Sequence, residues 1–109
     1  GWNADNSDPD NFFTPLLSCA ALSSNNNRSK WCQADFDHLL TQAQNTTVRE
    51  DRKAFYQAAE AILSDRVPLI PIAHAQKVIL KKDTITSMQV RPYGGIAFAK
   101  IVQNPQESN

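Results

Sequence analysis

The sequence predicts an α+β chain in which helices come first and short strands follow. Two amphipathic periodicities fill the stretch before Val67, and beyond it the chain breaks into β-branched runs punctuated by Pro68, Pro71, Pro92 and the Gly94-Gly95 pair. Such segregation fits a self-contained α+β domain, or a piece whose strands pair with a sheet lying elsewhere in sequence.

The first helix is expected across about 9–20. Asp8 can accept bonds from the unpaired amides of a first turn, and Pro9 sits where a missing N–H has no consequence. Phe12, Phe13, Leu16 and Leu17 supply an apolar face, Pro15 predicts a kink, and Thr14 is placed to cap a second short turn. The stretch Ser23-Ser24-Asn25-Asn26-Asn27-Arg28-Ser29 has neither periodicity nor apolar content and reads as a surface loop. Asn27-Arg28-Ser29 and Asn45-Thr46-Thr47 match the glycosylation acceptor pattern, which is too short to carry weight.

Phe36, Leu39, Leu40 and Ala43 follow the i, i+3, i+4, i+7 spacing of an amphipathic helix over about 33–44. Thr47-Val48-Arg49-Glu50 fits a capping box and opens the longest helix, about 48–65, which Pro68 stops. Its apolar stripe is read as Val48, Arg52, Phe55, Ala59 and Ile62, widened by Ala58 and Leu63. A short loop between the last two helices predicts an antiparallel pair. Strands are expected within Leu69–Ala73, Lys77–Lys81, Thr84–Val90 and Ile96–Val102, before a polar tail from Gln103 to Asn109.

A chain of 109 residues has room for one small core. Lys plus Arg balance Asp plus Glu at 11 each, so no net field draws it to nucleic acid or to anionic lipid. No apolar run reaches the roughly 20 residues of a membrane-spanning helix, so direct membrane insertion is not expected. The only methionine is Met88, which leads to the expectation of a chain processed, engineered or cut from something longer.

Cys19 and Cys32 lie 13 positions apart around a polar stretch. An even count with loop-like intervening sequence suits a disulfide, whose closure is worth roughly 3 kcal/mol in the chain-entropy model; two unrelated buried thiols are the alternative. His38 and His74 have no ligand-spaced neighbours, so no metal is expected, and His38 reads as a helix-surface residue. Asp5, Asp8 and Asp10 fail the calcium-loop pattern, since the sixth position from Asp5 is Asp10 and the twelfth is Leu16. No nucleophile elbow, phosphate loop or dinucleotide loop occurs, so neither an enzyme nor a cofactor is expected.

The opening residues, Gly1 to Phe12, hold the functional question. Asp8, Pro9 and Asp10 have a structural reading as a helix start, which leaves Trp2 and Asp5 without one. A carboxylate beside an indole just before a helix suits a ligand ammonium, with the ring covering an apolar part of the same ligand. Burial in a core is the ordinary alternative for Trp2 and for Trp31.

Taken together, Gly1-Trp2-Asn3-Ala4-Asp5-Asn6-Ser7-Asp8-Pro9-Asp10-Asn11-Phe12, Cys19, Trp31-Cys32, Phe36-Asp37, Arg52-Lys53-Ala54-Phe55-Tyr56-Gln57-Ala58 and Pro68-Leu69-Ile70-Pro71-Ile72-Ala73-His74 resemble the C-terminal part of periplasmic dipeptide/oligopeptide-binding proteins of ABC importers, solute-binding protein family 5. The resemblance covers essentially the whole chain and implies a fragment of a two-lobed, type II periplasmic-binding fold, α/β in its parent. It implies a non-enzymatic receptor in a Gram-negative periplasm, about five times this length, that closes on an extended peptide and delivers it to a permease in the inner membrane. Antimicrobial peptides are among the cargoes it implies. It makes Asp5 the partner of the peptide's N-terminal ammonium, Trp2 an aromatic of the same site, and Cys19–Cys32 a disulfide. Residues 1–66 would belong to the C-terminal ligand-binding lobe, and 67–109 would cross a hinge near Val67–His74 and return to the N-terminal lobe. Faces meant for absent partners would then be apolar and prone to self-association. Dipeptides, cationic peptides and haem stay open as ligands, and a small extracellular interaction module using its helices as a docking face is the competing reading.

Overall fold

The computed structural model describes residues 1–76, 78–91 and 95–103. Gly1–Pro71 and Ile72–Asn109 form two separate units.

In the first unit, α1 spans Asp10–Leu17, α2 Ala34–Gln44 and α3 Arg49–Arg66, with a 3₁₀ turn at Ala20–Leu22. The α1 boundary corrects the expectation of one kinked helix to residue 20: the helix ends at Leu17, Ser18 turns extended, and the chain then tightens into the 3₁₀ turn. Asp8 caps as expected, its Oδ1 accepting the Asp10 amide at 3.0 Å. Thr14 opens no second turn; its hydroxyl donates back to Asp10 Oδ1 at 2.5 Å.

Helix α2 follows the sequence pattern closely, burying Phe36, Leu40 and Ala43. Helix α3 begins one residue later than expected and has no side-chain cap, with Val48 extended and exposed, so the capping box does not form. Glu50 and Asp51 place negative charge at its N-terminal end instead. Most of the expected stripe faces the core, with Ala59 buried and Phe55, Ile62 and Leu63 packed against it, but Val48 falls outside it and Tyr56 joins it. Tyr56 and Ala59 are its buried residues, and Ala58 is exposed.

Helices α2 and α3 pack together through Phe36, Leu40, Ala43, Tyr56 and Ala59, and Leu17 of α1 completes the core. Aromatic edges knit this cluster: Phe13 lies 6.0 Å from Phe36 and 5.8 Å from Tyr56, and Trp31 meets Phe36 edge-on at 5.0 Å. Edge contacts of this kind exploit the ring quadrupole. Trp31 thus takes the core reading.

Cys19 and Cys32 are disulfide-bonded with their Cα atoms 4.7 Å apart. The loop they close is not purely a surface feature. Asn27 is fully buried inside it, its side-chain amide donating to the carbonyls of Ser18 at 3.1 Å and Trp31 at 2.7 Å. Both donors of its side-chain amide are thus used inside the fold. Asp37 of α2 secures the other side of the disulfide, its two oxygens accepting the Cys19 amide at 3.2 and 3.1 Å.

In the second unit, β1 (Ile85–Ser87) pairs antiparallel with β2 (Val102–Gln103), joining Ile85 to Gln103 and Ser87 to Val102 with a register shift between them. Val90 and Ile96 form a further antiparallel bridge, and Phe98–Lys100 is a 3₁₀ turn. Most of the expected strands are therefore absent among the described residues: 69–73 and 78–81 pair with nothing, and the run from Ile96 is largely turn. Lys77, the Gly94 of the glycine pair and the tail beyond Gln103 lie outside the described residues. The reason is partnership. A β-rich run becomes a strand only when its N–H and C=O groups meet another strand, and Ile72, Val78 and Leu80 are 94%, 83% and 95% exposed. No described residue of this unit is buried.

Candidate functional site

The segment before α1 is a strap fastened to the helices at defined points, and the fastenings decide which of its side chains are free. At its far end Asp8 forms an ion pair with Arg52 of α3 at 2.6 Å. The Tyr56 hydroxyl donates to Asp8 Oδ1 at 3.1 Å and accepts from Arg52 Nη2 at 3.1 Å, closing a three-membered network. Arg52 Nε donates to the Ala43 carbonyl at 3.0 Å, so the same guanidinium caps the C-terminal end of α2, where backbone carbonyls lack helical donors.

Partial burial would raise the Asp8 carboxyl, but the Asp10 amide and the hydrogen bonds from Arg52 and Tyr56 outweigh it and hold the group below its ordinary value. The Asp8 carboxylate in turn raises the Arg52 guanidinium. Burial, and then the Asp8 charge, push the Tyr56 hydroxyl up. Asp8 is therefore ionised and occupied by structure.

Asp10 is occupied as well, its Oδ1 accepting from Thr14 and from Gln44 Nε2 at 2.9 Å. Asp5 differs from both. Its backbone amide donates to Asn11 Oδ1 at 2.9 Å, while its carboxylate is exposed and takes no hydrogen bond or ion pair among the described residues. Of the three carboxylates leading into α1, Asp5 alone takes no partner among the described residues.

Trp2 is fixed from the same helix. Its indole Nε1 donates to the Asn11 carbonyl at 2.7 Å. The ring is 38% exposed and lines a concavity of about 580 Å³ together with Leu16, Leu17, Arg28, Leu69 and Ile70. A second, more polar concavity of about 800 Å³ lies between residues 6–9 of the strap and α3, with Arg49, Lys53 and Glu60 on its wall. Asp5 lines neither of these two. Trp2 and Asp5 are brought together by sharing one anchor, Asn11, rather than by lining one pocket.

Sequence reasoning missed Arg52, Tyr56 and Asn11. Arg52 stood out as the one charged member of an otherwise apolar stripe, which is the signal that a partner for its charge was needed. His38 is exposed on α2 and His74 is exposed, and no group of metal-ligating side chains forms among the described residues. No described helix is long and apolar enough to cross a membrane.

The helical unit carries a strap that presents an exposed carboxylate and a partly exposed indole, and comparison with known proteins gives the chain relatives. No protein-family model matches the chain. It is 33% identical over 105 residues to the di/tripeptide-binding protein 4 of Pseudomonas aeruginosa, covering 96% of this chain and 20% of that protein. Against the probable ABC transporter periplasmic-binding protein SapA of Escherichia coli the figures are 35% over 107 residues, 98% and 20%. The crystal structure of the dipeptide binding protein from Pseudoalteromonas sp. SM9913 in complex with Met-Leu superposes with a TM-score of 0.79 at 41% identity, covering 94% of this chain and 20% of that one. The chain is homologous, over nearly its whole length, to a segment of bacterial periplasmic peptide-binding proteins, the group that includes SapA and the di/tripeptide-binding proteins. It spans about a fifth of the length of those relatives.

Proposed function

We propose that this chain is the amine-binding part of a periplasmic receptor for an ABC peptide importer, working within a polypeptide of its relatives' length. The observation that carries the reading is the Asp5 carboxylate, exposed and without a partner among the described residues while Asp8 and Asp10 are both engaged. It pairs with the N-terminal ammonium of a bound peptide, and the Trp2 ring covers the adjoining apolar part of the ligand. An ammonium held by a fixed carboxylate forms a charge-assisted bond about twice as strong as a neutral one, and stronger again as the closing lobes exclude water.

Residues 1–66 belong to the C-terminal, ligand-binding lobe, and 67–109 form a hinge crossing and a return segment of the N-terminal lobe. The separation into two units after Pro71 falls inside the proposed crossing, and the exposed Ile72, Val78, Leu80 and Phe98 are what a segment that packs on more chain would carry. The receptor binds peptide and hands it to an inner-membrane permease without chemistry of its own, in the periplasm of a Gram-negative bacterium. Antimicrobial peptides fall within its ligand class.

The reading is tested by calorimetric titration of the longer receptor with an unblocked dipeptide and its N-acetyl counterpart. The wild type should prefer the free amine strongly, and Asp5→Asn should lose that preference by about tenfold or more, as expected for a charged bond worth roughly 1.5–3 kcal/mol. An Asp5→Asn receptor that keeps the full preference would rule the reading out.

A further inference from the structure

Resting on the peptide-amine reading of Trp2 and Asp5, we infer that Asn11 is the positioning residue of that site and that Pro15 makes this role available. A helical carbonyl at position i normally accepts the amide of i+4. For Asn11 that partner is Pro15, which has no N–H and whose ring pushes against the same carbonyl. An interior proline in a helix as short as Asp10–Leu17 is a local defect. Here the orphaned oxygen accepts the indole N–H of Trp2, nine residues away, at 2.7 Å.

The side chain of the same residue holds the other half of the site, since Asn11 Oδ1 accepts the Asp5 amide at 2.9 Å. One residue at the start of α1 therefore fixes the ring through its main chain and the carboxylate-bearing backbone through its side chain. The two bonds set the spacing of aromatic and charge independently of any ligand, so the ordering entropy of the strap is met before binding rather than during it. Asn11 also follows residues tied to the core network, because its neighbour Asp10 bonds Gln44 of α2 and the nearby Asp8 pairs with Arg52 of α3. The site is thereby referred to the rigid helices.

The test uses the longer receptor and reads the affinity ratio of an unblocked dipeptide over its N-acetyl form, a quantity that general loss of structure does not selectively move. Asn11→Leu removes the acceptor for the Asp5 amide and keeps the carbonyl for Trp2. It should lower affinity for the free amine by about five- to tenfold, the effect of one positioning hydrogen bond, while affinity for the acetylated peptide and the urea midpoint stay close to wild type. Asn11→Asp, which retains an acceptor oxygen, should restore the ratio.

Should Asn11→Leu fail to fold, Trp2→Phe decides instead: an aromatic ring stays while the indole donor is lost, and affinity should fall several-fold for both peptides alike. A preference unchanged in Asn11→Leu, or affinities unchanged in Trp2→Phe, while Asp5→Asn abolishes the preference, would overturn the positioning role and leave the amine site standing. A preference unmoved by Asp5→Asn would remove the site and this role with it.

Discussion

Replacing Arg52 by methionine keeps most of its aliphatic stem and removes three bonds at once, to Asp8 at 2.6 Å, to the Tyr56 hydroxyl at 3.1 Å and to the Ala43 carbonyl at 3.0 Å. The Arg52 and Asp8 side chains are 32% and 28% exposed, so water competes for the pair and the Coulombic share stays near the upper end of surface ion pairs, about 1 kcal/mol. The bonds to the hydroxyl and the carbonyl add roughly 0.5–1 kcal/mol each. Some of this returns, because Asp8 keeps the Asp10 amide and the Tyr56 hydroxyl. The expected loss is about 2 kcal/mol, a large fraction of the stability of a small unit. Urea unfolding of the chain followed by circular dichroism measures it. Asp8→Asn should cost about 1 kcal/mol, and the double variant should fall short of the sum by a similar amount, because both substitutions remove one shared bond. An Arg52→Met loss below about 0.5 kcal/mol, or strictly additive variants, would refute the claim that this network fastens the strap to α3.

Three further outcomes follow from the same structure. Asp8 has a folded-state pKa below its unfolded value, so its contribution is fully present above the ordinary carboxylate range and is lost as pH falls through the folded-state value; the acid limb of a stability–pH curve should be shallower in Asp8→Asn than in wild type, and parallel limbs would contradict this. Val67 closes α3 in the left-handed region at φ 45°, a conformation that costs a β-branched residue about 1–2 kcal/mol, so Val67→Gly at this exposed position should raise stability by about 0.5–1 kcal/mol after the added flexibility of the unfolded chain is counted, whereas a destabilised variant would show the helix ends otherwise. The 109-residue chain on its own carries one wall of the proposed site and many exposed apolar side chains; calorimetry should find no micromolar peptide affinity and light scattering should find self-association at high concentration, against which tight binding by a clean monomer would count.

The helices were legible because their signals are local. Phe36, Leu40 and Ala43 repeat at helical spacing and are buried as that spacing requires. On α3 the same logic picked Phe55, which packs against the core, but also the exposed Val48, and it passed over the buried Tyr56, since the hydroxyl that makes tyrosine look like a surface residue is the group that Asp8 and Arg52 satisfy. Thr47 and Glu50 carry a capping pattern that the helix start at Arg49 leaves unused. The strands were the least legible part, because β-propensity records fitness for a pleated surface without saying whether a neighbour is there; Leu80 has the composition of a strand residue and is almost wholly exposed. In the candidate site, the division between structural and free carboxylates could be read from the turn chemistry of Asp8-Pro9-Asp10. The role of Asn11 could not, since it depends on a carbonyl freed four residues upstream of a proline and on a partner nine residues away.

A crystal structure of the longer receptor with an unblocked dipeptide bound tests the central claim most directly, through the distance between the Asp5 carboxylate and the peptide's N-terminal nitrogen. The account predicts a direct ion pair at about 2.7–3.2 Å, with the Trp2 ring against the same residue of the ligand and its indole still on the Asn11 carbonyl. A peptide nitrogen held by other groups, with Asp5 facing solvent, would contradict it.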